Sequence, residues 1–312
     1  MPQDFLIEAE DLSRHYGERC AVDRLGLTVR RGEVLGLLGP NGAGKSTTLR
    51  MLSGNLAPGT GEIRINGVDL LSRPRIAKRD IGYLPDRPPL YPELTVGEYL
   101  TYCARLHGVG RKGAARAVDN AKERCGLETA GQRLIGNLSK GYCQRVGIAQ
   151  AIVHRPAVII LDEPTVGLDP IQLREIRDLI RELGRDHGVL LSTHILPEVQ
   201  TVCDRVQVIV EGRSVYDDEL EALHAGAGGI RYLARFAKPP QEAALASLPG
   251  VTAVSRLMNG EFSVSLEGED ATAALLEASL SGGWGLRALS PQRLTLEEVF
   301  TDLVYRERGQ AA

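Results

Sequence analysis

Gly39-Pro40-Asn41-Gly42-Ala43-Gly44-Lys45-Ser46 decides the fold of this chain. It fits G-x-x-x-x-G-K-[ST], a pattern that carries meaning only between a strand and a helix. Both are present. Val34-Leu35-Gly36-Leu37-Leu38 is continuously apolar and reads as a buried strand running into the loop, and Lys45 to Leu52 reads as a helix. Glycines keep side chains out of the loop, so successive backbone N–H groups can face phosphate oxygens. The positive end of the following helix adds to the attraction. Lys45 is placed to reach the β- and γ-phosphates, Ser46 to give an oxygen to Mg²⁺, and Thr47 to extend the cradle. A glycine-rich turn that binds nothing would need neither the strand, the helix nor the Lys-Ser pair.

Farther along, Val158-Ile159-Ile160-Leu161-Asp162-Glu163 is an apolar strand ending in two carboxylates. Many strands end in acids because turns follow them. Behind a phosphate loop the pair reads as chemistry: Asp162 for the Mg²⁺ shell, Glu163 to accept a proton from an attacking water or to orient it.

Around these segments the pattern is mixed. Residues 5–38 form short alternating runs, read as antiparallel strands, and residues 61–71 hold a hairpin turning at Asn66-Gly67. From about Thr95 to Gln150 the period is helical. Ala157–Leu161 and Val189–Ser192 are compact strands separated by an amphipathic stretch, Ile171–Leu183, which predicts a mostly parallel sheet with helices on its faces. Ala225-Gly226-Ala227-Gly228-Gly229 reads as a linker. Beyond it the order is strand (230–236), helix (240–247), hairpin (251–266, turning at Asn259-Gly260), helix (271–280), strand (285–289) and helix (296–305). That β-α-β-β-α-β order suggests a ferredoxin-like tail.

Bulk properties narrow the function. Hydrophobic residues make up 43% of the chain and charged residues 25%, the balance of a globular protein. A net charge of −3 and only 4% aromatic residues argue against a polyanion-binding protein that stacks on bases. No apolar run approaches the ~20 residues that span a bilayer. Met1-Pro2-Gln3-Asp4 has no basic stretch before an apolar one, so no secretory signal is expected. The five cysteines are scattered without a C-x-x-C pair and read as reduced thiols. These features predict a cytoplasmic chain whose membrane role, if any, comes through a partner.

The residues between the two phosphate-site motifs carry a family resemblance. Leu138-Ser139-Lys140-Gly141-Tyr142, before a helical run and about twenty residues ahead of Asp162-Glu163, resembles the L-S-G-G-Q signature of ATP-binding cassette (ABC) proteins. Val166-Gly167-Leu168-Asp169 resembles their D-loop, Ser192-Thr193-His194 their switch histidine, and Tyr16 the aromatic that stacks on adenine. The resemblance covers roughly residues 5–215. It implies an α/β fold with a P-loop NTPase (RecA-like) core, an antiparallel β subdomain and an α-helical signature subdomain at about residues 87–150. The cassette would occupy residues 1–224 and a small α+β domain residues 225–312.

It also implies ATP and Mg²⁺ as ligands and a second cassette, this chain or a related one, facing it head to tail. Ser139, the Gly141 backbone and Asp169 would then contact nucleotide across the pair, while His194 holds the γ-phosphate and water beside Glu163. A separate transmembrane permease would place the chain on the inner face of the cell membrane. Three positions depart from the pattern: Asp86 in Ile81-Gly82-Tyr83-Leu84-Pro85-Asp86 replaces the Q-loop glutamine, Lys140 a glycine and Tyr142 a glutamine. Asp86 still offers a hard oxygen to Mg²⁺. Such variants, with Tyr91–Leu100, look like exporters of the ABC-2 and gliding-motility type. The rival reading is a non-transport ABC ATPase acting on nucleic acid or the ribosome. Phosphate loop and signature lie about ninety residues apart without sustained heptads, no zinc-type cysteine cluster occurs and there is one cassette, so transport is favoured and no nucleic-acid partner is expected.

Overall fold

The computed structural model describes residues 5–220, 230–257, 260–267, 271–292 and 300. The chain divides into two compact units, Met1–Glu219 and Leu220–Ala312.

In the first unit, β1 (Phe5–Tyr16) and β2 (Arg19–Arg30) form an antiparallel pair. The strand β3 (Val34–Leu38) is buried at every position and leads through the glycine-rich loop into α1 (Lys45–Leu52). The hairpin of β4 (Thr60–Ile65) and β5 (Val68–Asp69) turns at Asn66 and Gly67, both at positive φ. A short α2 (Pro74–Ala77) precedes β6 (Ile81–Leu84). Three helices follow: α3 (Val96–Leu106), α4 (Arg111–Arg124) and α5 (Lys140–Ile152). Then come β7 (Val158–Asp162), α6 (Pro170–Asp186), β8 (Gly188–Thr193), α7 (Leu196–Val202), β9 (Arg205–Val210) and β10 (Arg213–Glu219).

Two sheets result. One is four-stranded, in the order β2-β1-β4-β5, and antiparallel. The other has the order β10-β9-β3-β8-β7-β6, parallel except at the β10–β9 edge. Parallel strands covered on both faces are apolar throughout, which is why β3, β7 and β8 read as unbroken runs. One core joins the two sheets through α1: Leu6, Leu25 and Ile63 pack with Leu49 and Leu52, and with Leu35, Ile160 and Leu190. The loop that opens α1 is thus mounted on a rigid base.

The helices α3, α4 and α5 pack on one another beside this base. Where α3 and α5 end, the rings of His107 and His154 stack at 3.7 Å and 9°. His154 Nε2 lies 3.0 Å from the Ile81 carbonyl, to which it donates. Burial pushes His154 from 6.5 down to about 4, with the neighbouring His107 adding to the effect. Its folded-state affinity for protons is therefore below that of the unfolded chain. Stability from this residue is present above pH ~6.5 and lost as the pH falls toward ~4, a span worth about 3 kcal/mol. Thermal melts between pH 7 and pH 4 should show His154→Gln, which keeps a donor for Ile81, with a shallower acid slope than wild type. Identical slopes would place the acid loss elsewhere.

The second unit contains β11 (Ile230–Phe236), α8 (Glu242–Ala246), β12 (Val251–Arg256), β13 (Phe262–Leu266), α9 (Ala271–Ser281) and β14 (Leu286–Gln292). Its antiparallel sheet has the order β12-β13-β11-β14, the ferredoxin-like arrangement expected from the element order. Phe236, Phe262, Leu245 and Leu275 make its core. The expected linker at 225–229, residue Asn259 of the expected turn and all of the expected helix at 296–305 except Phe300 lie outside the described residues.

Candidate active site

The loop between β3 and α1 needs glycine at two points for steric reasons. A Cβ on Gly39 would come within 2.4 Å of the Ile209 carbonyl oxygen. One on Gly44, which sits at φ 108°, would come equally close to that of Ala21. Pro40 and Ala43 close the loop on itself: the Ala43 N–H donates to the Pro40 carbonyl at 3.1 Å, and the Gly212 N–H to the Ala43 carbonyl at 2.9 Å. No side chain caps α1. The amides of its first turn have no intrahelical acceptor and stay available to an anion.

Lys45 is nearly buried, at 6% exposure. Its Nζ donates to the Gly39 carbonyl at 2.7 Å and the Pro40 carbonyl at 3.3 Å, and lies 3.9 Å from Glu163 Oε1. Burial pushes the Lys45 ammonium below its ordinary range, against the opposing pull of Glu163 and Asp162. A partly desolvated cation of this kind gains by meeting a polyphosphate.

Neighbouring strands assemble the acidic side. The register of β7 on β8 sets Asp162 opposite Ser192. The Ser192 hydroxyl donates to Asp162 Oδ1 at 2.5 Å, and the Ser46 hydroxyl lies 3.4 Å from the same oxygen. Burial raises Asp162 above the usual carboxylate range, and the two hydroxyls pull it back. Glu163 adopts a left-handed backbone at φ 49°, a conformation that costs a non-glycine residue energy and tends to mark functional turns. Its N–H donates to Ser192, with the hydroxyl at 3.1 Å and the carbonyl at 3.2 Å. Its carboxylate oxygens stand 2.9 and 3.0 Å from His194 Nδ1. A carboxylate only accepts, so the proton between them sits on Nδ1.

Gly44, Lys45, Ser46, Glu163 and His194 line one cleft of about 540 Å³ with Tyr16, Asn41, Gly42, Thr47 and Asp86. Its size suits a nucleotide. Among the described residues no three His, Cys, Asp or Glu side chains form a metal cage. Mg²⁺ takes one or two carboxylates and completes its shell with phosphate and water, so Ser46, Asp162 and the nearby Asp86 fit it as a donor set. Tyr16 presents a half-exposed ring, with the Arg14 guanidinium 5.5 Å from its centroid.

Of the expected residues, Gly39, Pro40, Ala43 and Asp162 are not in the lining but belong to the loop and strand that carry it, and three more lie on other elements. Ser139 caps α5, accepting the Tyr142 N–H at 3.4 Å. Gly141 lies so close to the Gln172 side chain that a Cβ would fall 2.3 Å from its Oε1. Asp169 caps α6 by accepting the N–H groups of Ile171 and Gln172, each at 3.0 Å. Two residues were missed by sequence reasoning. Arg19 lines the cleft, with its guanidinium 3.4 Å from the Gly42 carbonyl. Ser192 was quoted only as the strand end before His194. Arg19 has no pattern to mark it; Ser192 could have been found from the pairing of two apolar strands that each end in polar residues.

Residues 22–166 match the family described as ABC transporter. A Bacillus subtilis protein named as the uncharacterized ABC transporter ATP-binding protein YdbJ is 34% identical over 310 residues, covering 98% of each chain. The Nod factor export ATP-binding protein I of Burkholderia orbicola is 36% identical over 304 residues, covering 96% of this chain and 97% of its own. A solved structure described as the ATP-binding subunit of an ABC transporter superposes with a TM-score of 0.64 at 34% identity, over 70% of this chain and 92% of its own.

Proposed function

The chain belongs to the ATP-binding subunits of ABC transporters, and on that premise we propose that it hydrolyses Mg²⁺·ATP to drive export through a separate membrane-spanning permease. One observation carries the proposal of hydrolysis. The Glu163 carboxylate lies between the Lys45 ammonium, at 3.9 Å, and the His194 imidazole, at 2.9 Å, at the edge of the phosphate loop. The arrangement supports a reading in which a proton acceptor, a cation and a steering group surround the terminal phosphate of a bound nucleotide.

The residues act in sequence. Tyr16 stacks on the base, and the first-turn amides of α1 with Lys45 hold the β- and γ-phosphates. Ser46, Asp162 and Asp86 supply the metal's protein oxygens. Mg²⁺, when bound, neutralises charge on the phosphate oxygens. Glu163 takes a proton from the water that attacks the γ-phosphorus as the bond to the bridging oxygen breaks, and His194 holds the carboxylate and water in line. Ser139 and the Gly141 amide, remote from their own cleft, serve the nucleotide of a second cassette facing head to tail, with Asp169 at the same face. Export is supported by the relative named for Nod factor export, which spans nearly the whole chain. Among the described residues no helix is long and apolar enough to cross a membrane, so the chain would attach to the inner membrane face through its permease.

The test uses the chain with and without a candidate permease, a multi-span membrane protein sought among the neighbouring reading frames. The permease should stimulate ATP hydrolysis. Asp86→Ala, which takes one oxygen from the metal's donor set, should lower basal hydrolysis and should lower permease stimulation and transport by more, and Asp86→Gln, which keeps an oxygen, should retain most of each. Stimulation and transport unchanged in Asp86→Ala would leave Asp86 as a surface turn residue. Stimulation by duplex DNA or ribosomes in place of the permease would support a non-transport ATPase instead.

A further inference from the structure

Behind the Glu163–His194 pair lies a carboxylate that no phosphate-site motif includes. Glu198, in the first turn of α7, is 1% exposed. A carboxylate removed from water must find donors inside the protein, and each donor is then constrained in turn. Glu198 has two. The Thr165 hydroxyl donates to Oε1, and the Thr193 hydroxyl to Oε2 at 2.7 Å. Both threonines are themselves buried, at 3% and 0% exposure. The Thr193 hydroxyl also accepts the Ile195 N–H at 3.0 Å, bracketing His194 between two tethered residues.

The two donors occupy telling positions. Thr165 lies two residues beyond Glu163, and Thr193 immediately precedes His194. One buried carboxylate therefore ties the chain leaving Glu163 to the strand delivering His194. Glu163 needs such support, since its left-handed backbone persists only where its surroundings over-determine it. The Ser192 contacts hold its N–H from one side. The Thr165–Glu198 bond holds the following turn, in which the Val166 N–H lies 3.4 Å from the Glu163 carbonyl.

We propose that Glu198 is a positioning residue for ATP hydrolysis: by accepting from Thr165 and Thr193 at once, its carboxylate sets the spacing and orientation of Glu163 against His194. It touches neither nucleotide nor water. The inference rests on the roles proposed above for Glu163 and His194. A displacement near 1 Å of a reacting group costs up to about 100-fold in rate, so the effect belongs in kcat, with the phosphate cradle on α1 left intact.

The experiment measures kcat and KM for Mg²⁺·ATP, nucleotide affinity with a fluorescent ATP analogue, and the melting temperature, on the full chain. Glu198→Ala should lower kcat by about 10- to 100-fold with KM and affinity within about twofold. Glu198→Gln keeps one carbonyl oxygen that accepts from one threonine hydroxyl and gains an NH2 that donates to the other hydroxyl once it has rotated, and should recover most of the rate. Thr165→Val and Thr193→Val keep shape, lose one tether each, and should each lower kcat in the wild-type background while adding little in the Glu198→Ala background. If Glu198→Ala does not fold, the two valine variants carry the same test. Unchanged kcat in folded Glu198→Ala, or in both valine variants, would overturn the proposal. So would parallel loss of kcat, affinity and melting temperature without rescue by glutamine, which describes a purely structural residue. Glu163→Gln measured alongside separates the two levels: if it turns over normally, the assignment of Glu163 fails, whereas its inactivity beside an unaffected Glu198→Ala removes only the role of Glu198.

Discussion

Glu163→Gln should bind ATP and turn it over at about one hundredth to one ten-thousandth of the wild-type rate, since a positioned general base contributes roughly 10²–10⁴-fold. The amide keeps the size of the side chain and can still face His194, but it cannot take the proton of the attacking water. Binding should survive because its determinants lie elsewhere. The first-turn amides of α1 are independent of residue 163, and Lys45 keeps the Gly39 and Pro40 carbonyls at 2.7 and 3.3 Å. Removing a negative charge 3.9 Å from that ammonium also frees it for phosphate. Nucleotide should therefore be retained, and the protein should accumulate as an ATP-bound pair on size exclusion. Steady-state phosphate release and equilibrium ATP binding measured on one preparation decide the matter. Near wild-type release would remove Glu163 from its assigned role.

The second large effect concerns the face that the monomer leaves unused. Ser139→Arg should abolish hydrolysis, by two orders of magnitude or more, while nucleotide binding by the isolated chain changes by less than about threefold. Ser139 stands outside the cleft of its own chain, at the start of α5, where its side chain accepts the Tyr142 N–H. Losing that cap costs about 1 kcal/mol, a small part of a domain's stability. Ser139→Asp controls for this: aspartate caps as well as serine, yet brings a negative charge toward the partner's γ-phosphate and should also be inactive. Mixing Ser139→Arg with Lys45→Ala supplies the sharper result. Each variant alone is inactive. A mixed pair holds one composite site with an intact Lys45 and an intact Ser139, so activity should return in part. A loss of ATP binding in Ser139→Arg as severe as that in Lys45→Ala would refute the head-to-tail arrangement.

Much of this molecule was legible because its signals are local. Gly39 to Ser46 demands a strand before it and a helix after it, and β3 and α1 occupy those places. Asn66-Gly67 turns a hairpin because both residues tolerate positive φ. Ser139 precedes a helical run and caps it, since a short oxygen-bearing side chain beside free amides has one low-energy use, whereas Asp169 read only as part of a loop and the structure shows it capping α6. The element order of the tail led to its sheet order, because few ways of pairing four strands with two helices keep connections short and uncrossed.

Lateral neighbours were not legible. Nothing local says that β3 lies between β9 and β8, or that β7 pairs with β8 so that Ser192 meets Asp162. Apolar strands buried on both faces have nearly interchangeable sequences, and their order is chosen by the packing of the whole core. The sequence by itself determined the phosphate loop, the carboxylate strand end and the start of the helix after Ser139, each of which rests on signals within a few residues. Only the tertiary structure decided that Arg19 faces the nucleotide cleft and that Glu198 is buried against Thr165 and Thr193. In Leu196-Pro197-Glu198 a glutamate reads as the solvated face of a short helix. Its burial depends on two hydroxyls, one of them 33 positions away in the chain, and a donor at that separation becomes available only once the sheet has formed.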